Sequence, residues 1–414
     1  MRLIHVADLH LGQVIYQTYE RADEHRHFFS QLRQWCVSEQ PDVLLVAGDI
    51  FDIQQPSAAT WKMFTDSFVS LRRAVPSMAI VIVAGNHDSP SRLESHNGVW
   101  QLADVRLVGA PLPAVMPDGD AWMERYIVRL PSGYVVALPF MTGERRAQVQ
   151  ALLDSIACEN GGRLPVVMMA HQAVEGCDLS GHDVEVGTLR SLPLSSYGTG
   201  YDYLALGHIH KPQTLGHPDD AMAADVTYAA PVARYAGSAL HVSCDEAYPH
   251  TVSVVDVQTR GGDVRIRQLR IDELRHFHVL PSPTEVYATA DEAIAGVRSF
   301  ASGQSGYFRL HIDASATLPS DFGQTVYAAI EPRADEVRYN PKILWEGAAQ
   351  EATTADDRPH FEVAELQQMT DPFLFIERTI EQYPDLEIGD VRDAFGEIAA
   401  ELARMDDDET AKRR

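Results

Sequence analysis

Five places in the first 210 residues of this 414-residue chain set metal-binding side chains at short, regular intervals. They read D-x-H at 8–10, G-D at 48–49, G-N-H-D at 85–88, a histidine at 171, and G-H-x-H at 207–210. Asp8, His10, Asp49, Asn86, His171, His208 and His210 make a mixed nitrogen and oxygen set with no thiolate. Such a set suits Mn, Fe or Zn better than Mg or Ca alone, or Cu(I). In an extended chain, residues two apart point to the same side, so His208 and His210 can converge. Seven donors exceed what one ion takes, and two ions sharing a bridging carboxylate is the economical arrangement. A pair of metals about 3.5–4 Å apart lowers the pKa of a bound water and clamps the attacking and leaving oxygens of a phosphate ester. Two carboxylates do not neutralise two dications, so the site stays positive and favours a phosphate anion.

Each of these groups closes a short apolar run: LIHVAD, VLLVAGD, IVIVAGNHD, PVVMMAH and YLALGHIH. Continuous apolar runs of this length suit strands buried on both faces. Between the early ones, 19–39 carries Phe28, Leu32, Trp35 and Cys36 at helical spacing, and 57–74 resembles it. The pattern is that of a layered α/β fold, in which ligands gather at the carboxyl ends of strands.

From about 276 the chemistry-bearing clusters stop. FHVL reads as a strand, and Thr289-Ala-Asp-Glu292 as a capping box opening a helix to about Phe300. YFRLHIDA reads as a strand, 320–331 as a helix and EVRYNPKIL as one last strand. The expected division is a body at 1–275, a small α/β module at 276–346, a polar linker at 347–361 and terminal helices within 362–405. Proline in the first turn after Asp371 starts the first of those helices. Asp390 caps the second, which carries an apolar stripe from Val391 to Leu402. Phe373, Ile376, Phe395, Ile398 and Leu402 are the candidates for docking a partner.

The hydrophobic content, 45%, is that of a globular chain. The sequence has no apolar run of 18 residues, and MRLIHVADLH has no signal-peptide core; a cytoplasmic protein is the expectation. Cys36, Cys158, Cys177 and Cys244 are widely spaced, which argues against a disulfide framework or zinc ribbon. The formal net charge is −25, yet 18 acidic against 7 basic residues fall within 351–414. A local site responds to its own field more than to the global charge, so a nuclease is compatible with the composition. His25, His27, His96, His182 and His241 stand outside any motif and read as structural or exposed.

D-x-H, G-D-x-x-D, G-N-H-D, H and G-H-x-H resemble the motifs of the calcineurin-like metallophosphoesterases. MRLIHVADLHLGQ, VAGDIFD, GNHDSPSRL and LGHIHKPQ resemble more narrowly the SbcD-type nuclease subunits of bacterial break-processing complexes, as does YAGSALHVSCDEA at 235–247. The resemblance implies a four-layer αββα sandwich with a capping domain and C-terminal helices. It implies one ion on Asp8, His10, Asp49 and His210 and a second on Asp49, Asn86, His171 and His208, both most simply Mn²⁺. His87 would stabilise the scissile phosphate and protonate the leaving oxygen. The Asp52 carboxylate would partner His87, and Asp88 would orient neighbouring ligands. The implied activity is 3′→5′ exonuclease on double-stranded DNA ends and endonuclease on hairpin DNA, by attack of a bridging hydroxide. The implied partner is an SbcC-type ATPase, with a homodimer of this chain inside a heterotetramer. The chain has no G-x-x-x-x-G-K-[ST] loop, so ATP dependence would come from that partner. Two other functions fit the ligand set: a small-molecule or phosphoprotein phosphoesterase, and a non-catalytic scaffold of the same fold.

Overall fold

A computed structural model describes residues 1–180, 191–217, 223–242, 246 and 248–346. The expected linker and terminal helices, with Phe373, Ile376, Phe395, Ile398 and Leu402, lie outside the described residues. Two sheets face each other. In the seven-stranded sheet, Arg2–Val6, Val43–Ala47, Ala79–Val83 and Val105–Val108 run parallel side by side. Thr251–Val257, Asp263–Arg270 and Asp225–Ala229 extend it antiparallel on the other side of Arg2–Val6. The six-stranded sheet centres on the parallel strands Gly133–Leu138, Val166–His171, Tyr203–Gly207 and Val232–Tyr235.

Side chains alternate across a strand, so the first sheet buries both faces against different partners. Leu3, Val43, Leu45, Val81 and Val83 pack in one core with Val135, Val167, Met169 and Leu206 of the second sheet. Ile4, Val6, Leu44, Val46, Ile80 and Ile82 pack in another with Phe28, Phe29 and Leu32 of helix Ala22–Glu39 and Phe64, Phe68 and Leu71 of helix Ala58–Ala74. Helix Arg146–Asn160 covers the second sheet through Val149, Leu152, Leu153 and Ile156. The result is the four-layer αββα sandwich. Ser57 starts the second helix by accepting the Thr60 N–H at 3.1 Å. The helix expected from 19 begins at Ala22, because Tyr19–Glu20 pairs instead with Val14–Ile15.

Residues 277–346 form a third sheet with its own core, around Val297, Phe300, Phe308, Leu310, Val326 and Val337. The Thr289 hydroxyl accepts from Glu292 N at 3.2 Å and so caps helix Ala290–Gly303, while the Glu292 carboxylate accepts from Ala288 N at 3.0 Å, one residue short of the Thr289 N–H that the full capping box would use. The 336–344 run is not one strand. It splits into Val337–Tyr339 and Leu344–Glu346, both parallel to Gly306–Asp313. Pro341 falls in the gap and has no N–H to give a ladder. The module seats on the body around buried Glu24, which takes the Tyr307 hydroxyl at 2.6 Å, Arg21 at 2.7 Å, and Arg338 and Arg275 at 3.3 and 3.4 Å. Among the described residues, no helix is long and apolar enough to cross a membrane.

Candidate metal centre

The parallel strands of each sheet end on the same edge, and the two edges meet. Asp8 and His10 follow Arg2–Val6, Asp49 follows Val43–Ala47, and Asn86 to Asp88 follow Ala79–Val83. His171 ends Val166–His171, and His208 and His210 follow Tyr203–Gly207. Three overlapping groups each bring their donor atoms within 4.8 Å: Asp8, His10 and His210; His10, Asp49 and His87; Asp49, His171 and His208. Asp49 belongs to two of them, between the two sheets.

The backbone is bent sharply to do this. Asp8, His10, Asp49 and His208 have φ of 52°, 44°, 47° and 95°. Left-handed backbone at a non-glycine residue costs about 1–3 kcal/mol and persists only where surroundings enforce it. Main-chain bonds enforce it here: Leu9 N and His10 N both donate to Asp49 O, at 2.8 and 3.0 Å, and His208 N donates to Asp8 Oδ1 at 3.0 Å. Two motif glycines are required by contact. A Cβ on Gly85 would sit 2.1 Å from Asp49 Oδ1, and one on Gly207 would sit 1.9 Å from Ala47 O.

The hydrogen bonds orient the imidazoles for coordination. His171 Nδ1–H donates to Ala47 O at 2.8 Å, leaving the Nε2 lone pair 3.0 Å from Asn86 Oδ1 and 3.3 Å from Asp49 Oδ2. That approach is favourable only with a cation on Nε2, a proton in the bare protein or a metal ion in its place. His210 Nδ1–H donates to Glu246 Oε1 at 3.0 Å, which turns Nε2 inward. Ligating histidines commonly give their other N–H to a carboxylate or carbonyl, which fixes the ring and raises its basicity. Both nitrogens of buried His10 make no hydrogen bond. Its Nδ1 lies 3.4 Å from Asp52 Oδ1 and its Nε2 3.9 Å from Asp49 Oδ2. The donor set and its orphaned nitrogens therefore fit divalent ions.

Electrostatics point the same way. Burial raises the Asp8 carboxyl to about 7, with the Asp49 charge adding to it against His171 and His10. Burial would also raise Asp49, but the neighbouring His171, His10 and His87 hold it well below the usual carboxylate range. Burial opposes charge on His171, yet Asp49 and Asp8 outweigh it and push the imidazole up to about 9. The protein alone thus draws protons into the space between these groups, as an anionic pocket does where cations belong.

His87 and Asp52 do not pair as their types suggested. His87 Nδ1–H donates to the main-chain carbonyl of Asp52 at 2.7 Å, while the Asp52 carboxylate turns to His10. The Asp52 main chain, fixed by its N–H to Leu11 O at 3.1 Å, reaches the ring before its side chain can. Asp88 accepts from Gly85 N, Phe51 N and Ile50 N at 2.8, 2.9 and 3.1 Å, joining the G-D and G-N-H-D loops. Burial, with the nearby Asp49 charge, pushes its carboxyl up to about 6 despite those donors. Sequence reasoning missed Glu246, although it falls within the 235–247 segment; a lone glutamate 36 residues beyond its histidine carries no spacing signal.

A family model for calcineurin-like phosphoesterases matches residues 1–212, just over half of the chain. The chain belongs to that family. This phosphoesterase is 28% identical over 349 residues to the SbcD subunit of the nuclease SbcCD from Rhodobacter capsulatus, covering 77% of its own length and 82% of the relative's. It is 27% identical over 283 residues to the corresponding SbcCD nuclease subunit of Escherichia coli K12, covering 61% and 65%. With the Bacillus subtilis protein of the same name it shares 28% over 320 residues, covering 70% and 76%. As a phosphoesterase, it is a hydrolase of phosphate ester bonds.

Proposed function

We propose that this phosphoesterase is a metal-dependent DNA nuclease, cutting double-stranded ends as a 3′→5′ exonuclease and hairpins as an endonuclease. The observation that carries the reading is the Asp49 carboxylate set between two histidine groups at the joined strand ends. The names of its relatives and the module seated on the body support a DNA substrate. Asp8, His10, Asp49 and His210 would hold one ion, and Asp49, Asn86, His171 and His208 the other, with Mn²⁺ the expected metal. Bound there, the ions neutralise phosphate charge and acidify a water.

The remaining work falls to the protein. Glu246 and Ala47 O hold the His210 and His171 rings in position. Asp52 O occupies Nδ1 of His87, so Nε2 is the ring atom free to give a proton. As the water oxygen bonds to phosphorus and the bond to the sugar oxygen breaks, that proton passes to the leaving oxygen. We also assign the chain a place in the cytoplasm, associated with the nucleoid, as a homodimer joined to an SbcC-type ATPase. The test compares a hairpin oligonucleotide with a nitrophenyl phosphate ester, with and without Mn²⁺. Mn²⁺-dependent cutting of the hairpin is expected; turnover of the small ester alone would replace the nuclease by a small-molecule phosphoesterase.

A further inference from the structure

Behind the dinuclear centre, where the body meets the module, lies a second set of metal-type donors that the reaction does not use. His241, His250 and Glu273 bring one donor atom each within 4.8 Å of one another. His241 and Glu273 border a cavity of about 530 Å³ whose wall also includes Glu246 and Phe277, with His250 buried behind it. His250 is fully buried, and its Nδ1–H donates to Ser238 O at 2.9 Å. Its Nε2 has no hydrogen-bond partner. With Nδ1–H given to Ser238 O, Nε2 turns its lone pair toward the carboxylate oxygen Glu246 Oε2 at 3.3 Å, a buried contact that only a proton or a metal cation on Nε2 makes favourable. The His241 and His250 rings lie 4.1 Å apart between centroids, and His241 Nδ1 is 3.2 Å from Glu273 Oε1.

From this geometry we infer a third metal site, a zinc-type centre on His241, His250 and Glu273 with its fourth position open to the cavity. Two imidazoles and a carboxylate suit Zn²⁺ with a water completing the tetrahedron. Donors on such a tetrahedron stand about 3.4 Å apart for bonds of ~2.1 Å, so the observed spread closes by side-chain rotation. The carbonyl that holds His250 Nδ1 is the usual partner of a ligating histidine. The ion clamps the junction: Glu273 leads into the module, and the His241 ring packs on Phe277 at 4.9 Å. Glu246 touches both centres, giving Oε1 to His210 and facing His250 with Oε2.

The test uses the full chain, stripped with a chelator, loaded with excess Zn²⁺ and desalted. Wild type should retain one more zinc per chain than His241→Ala or the nearly isosteric Glu273→Gln. Neither residue is among the candidate ligands of the dinuclear centre, so Mn²⁺-dependent turnover should stay near the wild-type value. Zn²⁺ should raise the melting temperature of wild type further than that of either variant, whose dinuclear centre alone still binds it. Loading with Co²⁺ should give wild type a tetrahedral visible band that the variants lack. Equal zinc in all three proteins would overturn the site. So would an extra zinc that survives both substitutions but disappears when the acidic residues 351–414 are removed.

Discussion

At the scale of single residues, the centre separates groups that would hold ions from groups that would move protons. His87 is tied through its main-chain N–H to Asp49 Oδ1 at 2.9 Å and through Nδ1 to Asp52 O. His87→Ala should therefore keep both ions while turnover falls by about 10²–10⁴-fold, the usual range for a positioned acid. Metal analysis beside the rate measurement decides it, since loss of metal together with rate would make His87 a ligand. Glu246→Ala should do the reverse. Losing the partner of a ligating histidine costs about 10–100-fold in metal affinity, so titration of the stripped protein with Mn²⁺ should shift by that factor. Rate at saturating Mn²⁺ should recover, and an unchanged titration would remove Glu246 from the centre.

Secondary-structure elements explain why some of this could be read in advance and some could not. The motifs were legible because each is local: an apolar run announces the strand, and its last polar residues announce the candidate ligands that the strand ends bring together. Thr289 and Glu292 were legible for the same reason, as a cap lies within four residues. The Asp52 carboxylate was misassigned because its direction depends on a left-handed turn at His10 and a bond from Asp52 N to Leu11 O, neither marked in the sequence. Glu246 was missed because its partner comes from a different strand end. The split of 336–344 was signalled by Pro341, which an otherwise β-rich run outweighed. The tight crossing between strands gives a prediction at this scale. Gly207→Ala drives a methyl against Ala47 O, so the strand ends must separate. The expected outcome is a lower melting temperature, by more than a surface substitution's ~0.5 kcal/mol, together with weakened metal binding. Wild-type stability and metal affinity would mean that the strand ends are less closely joined than described.

The molecule as a whole divides its tasks along the chain. The candidate ligands end at His210, the module has its own core, and 362–414 contains none of them. Removing residues 362–414 should leave a folded protein that binds Mn²⁺ and cuts simple substrates yet no longer co-purifies with an SbcC-type ATPase. Leu402→Asp or Phe395→Asp should have the same effect on the full chain. Wild-type affinity for the ATPase after truncation would move the docking surface elsewhere. The body, by contrast, cannot be divided, because both sheets and all five strand ends meet at Asp49. Replacing that carboxylate is the most direct measurement of the central claim: metal content and Mn²⁺-dependent hairpin cleavage of Asp49→Ala beside wild type. The prediction is loss of cleavage together with loss of bound Mn²⁺ from both positions, since one side chain serves two ions. Full cleavage with wild-type metal content would contradict a shared two-metal centre at these strand ends.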